Sequence, residues 1–183
     1  GVCVPDISNR FFFIFSRCIE NLADNEGYVV QFASLDESLQ RFEHILDTYM
    51  ASGVEGLILA PCKGSEKAVE CALAAGLPIV LIDRDLPGVD AGRVMVDNVQ
   101  AGRMIVDHLY RNGYQKIEIV SNTLGLSSME GRVKGYIEAM HKYGLQNNVE
   151  VHYVDYHNLN DDMVRAFGEA MDRDAQALIL PTS

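Results

Sequence analysis

Positive charge is scarce in this chain. Fifteen lysines and arginines stand against 26 aspartates and glutamates, which gives a formal net charge of −11. Such a surface repels a phosphate backbone, so we expect no nucleic-acid binding by this segment itself. No charged leader followed by an apolar stretch opens the sequence, and no apolar run approaches the roughly 20 residues that cross a bilayer. We therefore expect no membrane contact; because the sequence begins inside an apparent strand, a leader removed before Gly1 stays open.

Cysteine is also sparse, and its spacing excludes a familiar class of site. The four cysteines form no CxxC pair and have no histidine at metal-ligand spacing: Cys3, Cys18, Cys62 and Cys71. We interpret them as reduced, mostly buried thiols, which suits a cytoplasmic protein.

Catalytic and cofactor motifs are missing too. The chain contains neither GxSxG nor HExxH, and the turn after the first strand has no glycine with which to build a dinucleotide site or a P-loop. His152 and His157 flank a late strand, but their spacing is weak evidence for a metal. The other histidines fall inside helices: His44, His108 and His141. We expect no enzyme activity, no metal and no cofactor.

What the sequence does contain is a regular alternation of β-rich runs and helical periods. Strands are predicted at 2–4, 28–33, 56–60, 79–82, 94–96, 116–120, 151–154 and 177–180, and helices at 10–26, 36–52, 65–75, 99–112, 129–143 and 161–172. Five glycines follow predicted helix ends: Gly27, Gly53, Gly76, Gly113 and Gly144. The alternation predicts an α/β fold in which parallel sheets are flanked by helices.

One stretch breaks this rhythm. Residues 82–94 read IDRDLPGVDAGRV and join two strands without a helix. We place there either a change of direction in the sheet or the last strand of a first lobe. The predicted lobes are residues 1–97 and 98–183, with Asn98 capping the first helix of the second lobe.

Ligands of open parallel sheets collect beyond the carboxyl ends of the strands. The loops expected there read PDISNRFF, SLDES, PCKGS, DRDLPG, SNTLGLSSMEGR and PTS. Phe11, Phe12 and Phe13 are consecutive, so they cannot all share one helix face. Either an aromatic pair forms a flat wall for a sugar ring or planar base, or the rings fill the core, an alternative that we favour for Phe13 and Phe15.

Two charged residues are further candidates. Asp83 ends a strand, where its carboxylate either accepts hydrogen bonds from ligand hydroxyls or pairs with Arg84. Arg132 lies one turn into a helix, with Ser128 four positions before it. Its guanidinium suits vicinal hydroxyls or a carboxylate; the alternative is a surface pair with a glutamate of the same helix, Glu130 or Glu138.

Five segments together resemble the effector-binding region of the LacI/GalR family of bacterial transcription regulators: VPDISNRFF, GVEGLILAP, GLPIVLIDRDLPG, VMVDNVQAGRMIVDHLYRNGYQKI and GLSSMEGRVKGYIEAM. The resemblance implies a two-lobed fold of the periplasmic-binding-protein type with a small-molecule effector, most often a sugar or sugar derivative, between the lobes. It implies that Asn9, Phe11 and Phe12 lie against the ligand, that Asp83 binds its polar groups, and that Arg132, with Ser128, anchors it from the second lobe. It also implies a homodimer, and operator DNA bound only through a helix-turn-helix on the N-terminal side of Gly1.

The sequence departs from the family pattern at Arg10, which replaces the proline of ISNPFF. A cation there favours an acidic or phosphorylated effector, so the ligand class stays open. Two alternatives also remain. A periplasmic sugar-binding protein of a transport system would share the fold and the cleft, and an α/β enzyme would need a catalytic set that the sequence does not display.

Overall fold

The computed structural model describes residues 1–180, except for the side chain of His157. The PTS loop expected after the last strand lies outside the described residues. The elements in chain order are β1 Val2–Val4, α1 Arg10–Asn25, β2 Phe32–Ser34, α2 Leu39–Ala51, β3 Leu57–Leu59, α3 Glu66–Ala74, β4 Ile79–Ile82, β5 Gly92–Val94, α4 Asn98–Arg111, β6 Ile117–Asn122, α5 Ser127–Lys142, β7 Val151–Val154, α6 Leu159–Asp172 and β8 Ala177–Ile179. The chain divides into two units, Gly1–Met95 (unit 1) and Val96–Ser183 (unit 2).

Unit 1 contains a parallel five-stranded sheet in the order β2-β1-β3-β4-β5. Alternate residues of the strands face opposite sides. Cys3, Leu59 and Leu81 pack with α2 and α3, whereas Val4 and Ile82 pack with α1. Because both faces are covered by helices, the strands are apolar on both sides, as parallel sheets require.

Unit 2 repeats this plan on a smaller scale. Its described strands form a parallel sheet in the order β7-β6-β8. Ile117 and Ile119 of β6 pack with α4 and α5, and Val120 packs with α6 on the other face. The α/β class with helices on both faces of parallel sheets is thus confirmed in each unit.

The helix ends follow the glycine pattern. All five glycines predicted to end helices have positive φ, between 71° at Gly144 and 90° at Gly113. The prediction that Asn98 caps α4 is wrong. Asp97 is the N-cap residue, and its carboxylate accepts a hydrogen bond from the Gln100 N–H at 2.8 Å.

Two strands differ from their predicted ranges because pairing limits them. β2 covers Phe32–Ser34, the residues that pair with Val2–Val4 of β1, and is shorter than predicted. β5 pairs with β4 through Gly92, Arg93 and Val94, two residues earlier than predicted. It runs parallel to β4 at the edge of unit 1, so it is that unit's last strand and not a reversal of direction.

Half of the cysteines depart from the expected burial. Cys3 and Cys62 are buried, but Cys18 and Cys71 are exposed on α1 and α3. Among residues 1–180, no helix combines the length and the apolar character that crossing a membrane would require.

Candidate functional site

The strand order of unit 1 identifies the edge where a ligand site is expected. The chain goes from β1 to β2 on one side and then to β3 on the other, so the loops after β1 and β3 diverge at the carboxyl edge. Such a switch point leaves a crevice in open α/β sheets. Neighbouring loops are tied together there: the Asp36 N–H donates to the Pro5 carbonyl at 2.8 Å, and the Ile7 N–H donates to Ser34 Oγ at 3.0 Å.

Asn9 begins α1 at this edge. It is the N-cap residue, with extended backbone, and its Oδ1 accepts a hydrogen bond from the Phe11 N–H at 2.9 Å. The cap satisfies one of the free N–H groups of the first turn and fixes where the following aromatic residues lie.

The three consecutive phenylalanines take three different environments. Phe12 is 1% exposed and packs in the core with Val2 and Val4, whereas Phe11 is 47% and Phe13 is 59% exposed. The Phe11 ring meets the Phe12 ring edge-on at 5.0 Å. Phe12, expected against the ligand, therefore fills the core because its position falls on the buried face of α1. The expectation that Phe13 is a core residue is wrong, and Phe15 is half-buried against the core.

A buried charge cluster, which we call the edge triad, consists of Asp83, Arg84 and Glu37. Arg84 meets Glu37 through two contacts of 2.8 Å, one from each terminal nitrogen, and its Nε lies 3.4 Å from Asp83 Oδ2. The three side chains are at most 7% exposed. Asp83 therefore pairs with Arg84, one of the two roles expected for it. Sequence analysis missed Glu37, because only the fold brings the β2 and β4 loops together.

The backbone at this edge is unusual. Asp83, Asp36 and Glu37 have φ of +62°, +51° and +54°, in the left-handed region that side chains with a Cβ rarely occupy. Strained residues of this kind cluster at ligand sites, because surrounding contacts must hold them in place. Here Arg84 contacts two of these three residues, Glu37 and Asp83.

Arg132 in unit 2 is held by a residue of the neighbouring helix. Its Nε donates to Asn98 Oδ1 at 2.9 Å. Glu138, expected as a possible partner, pairs instead with Arg103 of α4. The carboxyl end of β6 leads through residues 123–126 into α5, so Arg132 lies on the first turns of a helix that starts at this edge.

Close packing of α4 and α5 makes the Asn98 contact possible. A Cβ atom at Gly102 would overlap the Arg132 carbonyl oxygen, and one at Gly135 would overlap the Val99 carbonyl oxygen. A Cβ atom at Gly131 would lie 2.9 Å from Asn98 Cβ. Sequence analysis missed this role; the spacing GRVKG, with glycines four apart on one helix face, was the available signal.

Ser128 is the second candidate in unit 2. It is 1% exposed, and its hydroxyl has no hydrogen-bond partner among the described residues. Buried polar atoms are usually satisfied, so an exception at a strand exit calls for an explanation. A pocket of about 550 Å³ within unit 2 is lined by Asn122, Thr123, Met129 and Tyr153 among others, but not by Ser128.

Cys62 and His152 lie in enclosed surroundings within their units. Burial raises the pKa of Cys62 in the β3 loop, and the Glu37 charge raises it further, so the thiol stays protonated at neutral pH. His152 is buried and contacts Glu118 at 2.6 Å and Glu169 at 3.2 Å. The described residues contain no group of three His, Cys, Asp or Glu side chains that could hold a metal ion.

Comparisons with known proteins agree with this architecture. A protein-family model described as "Periplasmic binding protein domain" matches residues 1–179. The HTH-type transcriptional regulator KdgR of Bacillus subtilis is 25% identical over 182 residues, covering 98% of this chain and 54% of that protein. The chain thus spans about half the length of the curated relatives it matches.

Two solved structures share the fold. The Cra transcriptional dual regulator from Pseudomonas putida, in complex with fructose 1-phosphate, has a TM-score of 0.88 at 21% identity, covering 100% of this chain and 68% of that one. A LacI family transcriptional regulator from Enterococcus faecium with bound ribose has a TM-score of 0.81 at 22% identity, covering 100% and 66%. The chain belongs to the periplasmic binding protein domain family, and its resemblance to the effector-binding region of LacI/GalR-type regulators is confirmed.

Proposed function

We propose that this chain is the effector-sensing region of a bacterial transcription regulator, a repressor, that binds a sugar or sugar derivative and has no enzymatic activity. The observation that carries the proposal is that a strand exit in each unit presents a charged side chain held by a neighbouring residue, from a buried position at Asp83 and a half-buried one at Arg132. Asp83 is held in the edge triad and Arg132 by Asn98. Carboxylate acceptors and guanidinium donors are the groups that bind sugar hydroxyls.

Phe11 would be the exposed aromatic wall of the effector site in unit 1. Sugar rings pack their apolar faces against such rings, and Phe11 is fixed by its contacts with Phe12 and Phe15. Binding regulates only if the effector has different affinities for two arrangements of the units, since equal affinities shift no equilibrium. The acidic chain leaves operator binding to another segment of the protein.

A regulator is favoured over a transport protein by the relatives. The curated proteins that match are named as regulators and repressors, including the Ribose operon repressor of Halalkalibacterium halodurans at 28% identity over 149 residues. All four cysteines are free, in agreement with a reducing compartment. We therefore place the protein in the cytoplasm.

The regulator would act as a homodimer. Helix α1 presents an apolar stripe away from the core of unit 1: Ile14 is 50% and Leu22 is 64% exposed, and Cys18 is exposed between them. The three residues are spaced four apart, so they share one face. A second copy of the chain would cover this stripe.

The test is a thermal-shift screen of the full-length protein against ribose, fructose, glucose and their phosphates. A ligand that binds the native state raises the midpoint by mass action. We expect at least one sugar or sugar phosphate to do so, and Arg132→Ala to abolish the shift. Arg103→Ala, which removes an exposed arginine of α4 paired with Glu138, should retain it. No shift with any of these ligands, or an unchanged shift in Arg132→Ala, would contradict the proposal.

A further inference from the structure

The edge triad carries a net charge of −1 at the place where an effector would meet unit 1. Arg84 is the only cation in the triad, and both of its terminal nitrogens contact Glu37. Its remaining nitrogen, Nε, faces Asp83, and Nη1 also lies 3.4 Å from the Pro61 carbonyl oxygen. The guanidinium is thereby enclosed, with 4% of the side chain exposed.

We propose that Glu37 is a specificity-determining residue that selects uncharged polyols over sugar phosphates. By holding Arg84 in a closed pair, it keeps this guanidinium from the ligand, so that within unit 1 the ligand would meet the Asp83 carboxylate. Hydroxyl groups donate to such a carboxylate, whereas a phosphate is repelled by it. The inference rests on the proposed function, because it names the ligand class of the same site.

Stability alone does not explain the pair. A buried ion pair loses much of its Coulombic attraction to the cost of desolvation. A protein with apolar residues of similar volume at these positions is often at least as stable. Glu37 and Asp83 also keep left-handed backbones, an arrangement that costs further free energy. A cluster that costs free energy in both respects, and that lies at the carboxyl edge of the sheet, is better explained by ligand selection.

Arg10 leads to the opposite expectation, an acidic or phosphorylated effector. That residue is exposed at the first position of α1, where water screens its charge. The triad is buried, so its charge is screened far less. We therefore expect the triad to outweigh Arg10 in choosing between a sugar and its phosphate.

The experiment measures affinities by calorimetry for three pairs of ligands: ribose and ribose 5-phosphate, fructose and fructose 1-phosphate, and glucose and glucose 6-phosphate. For the pair that binds, we expect the wild-type full-length protein to prefer the uncharged sugar by at least about tenfold. Glu37→Gln frees Arg84 and should shift the ratio toward the phosphate by at least about tenfold. In Glu37→Gln/Arg84→Met the shift should disappear, because the freed cation is gone.

Asp36→Asn is the matched control. It removes one carboxylate from the same loop, but that carboxylate is 57% exposed and pairs with Arg41, not Arg84. Its ratio should change by less than about twofold. Circular dichroism confirms folding of each variant. If Glu37→Gln does not fold, the double variant decides, because it keeps the net charge of −1 and should still prefer the uncharged sugar.

The outcomes separate the two proposals. A wild-type preference for the phosphate, an unchanged ratio in Glu37→Gln, or a double variant that prefers the phosphate would overturn the role of Glu37 and leave the sensor in place. Failure of all six ligands to bind the wild-type protein would overturn both the sugar-sensing function and the inference built on it.

Discussion

At the scale of single residues, truncation of two neighbouring phenylalanines should change stability to very different extents. Phe12→Ala removes a ring that is 1% exposed, and we expect it to lower the free energy of unfolding by about 3–5 kcal/mol. Phe13→Ala removes a ring that is 59% exposed and should change that energy by less than about 0.5 kcal/mol. Urea denaturation of both variants measures the difference. Equal losses would show that Phe13 also packs in the core.

The same three residues show how far sequence reasoning reaches. The sequence establishes that consecutive aromatics must point in different directions, but not which one points inward. That choice depends on the rotation of α1, which is set by the contacts of Phe12 with Val2 and Val4 of β1. Glu37 was missed for a similar reason, since its partner Arg84 is 47 positions away in the chain. Asp83, Ser128 and Arg132 could be chosen as candidates because strand exits are visible in the sequence, and their ligand contacts stay predictions.

At the scale of elements, two glycines should respond to alanine with opposite signs. Gly135→Ala in α5 would place a Cβ atom against the Val99 carbonyl, so the helices must separate and the free energy of unfolding should fall by about 1–3 kcal/mol. Gly168→Ala in α6 meets nothing within 4 Å and should raise it by about 0.5–1 kcal/mol through helix propensity. Thermal and urea unfolding of both variants provide the test. Stabilisation by Gly135→Ala would contradict the close approach of α4 and α5.

The elements themselves could be predicted well because their signals are local. Apolar periodicity and helix-ending glycines depend on nearby residues only, and β1, β4 and β7 match their predicted ranges. β2 was predicted too long and β5 two residues too late, because the limits of a strand depend on the strand with which it pairs. Val2 pairs with Phe32 of β2, and Val80 pairs with Gly92 of β5. The packing of α4 on α5 is also a property of pairs, and the glycines that permit it resemble ordinary helix residues in the sequence.

At the scale of the whole molecule, the charges beside the α1 stripe match those of a second copy. The first half of the helix carries Arg10 and Arg17, and the second half carries Glu20 and Asp24. In an antiparallel pair of α1 helices related by a two-fold axis, the basic half of each helix lies along the acidic half of the other. A two-fold interface must be self-complementary in this way. With Ile14 opposite Leu22 of the partner copy, the axis passes near Cys18.

This arrangement brings two exposed cysteines together, so it can be tested with a short bismaleimide cross-linker on the full-length protein. We expect a covalent dimer in the wild type and in Cys71→Ser, and none in Cys18→Ser, because Cys71 is exposed on α3 away from the stripe. Ile14→Asp places a charge in the stripe and should weaken the dimer in sedimentation velocity experiments, since an unpaired carboxylate would have to lose its water there. A dimer that survives Ile14→Asp and does not cross-link through Cys18 would show that the copies meet through another surface. A wild-type protein that stays monomeric would contradict the proposed dimer.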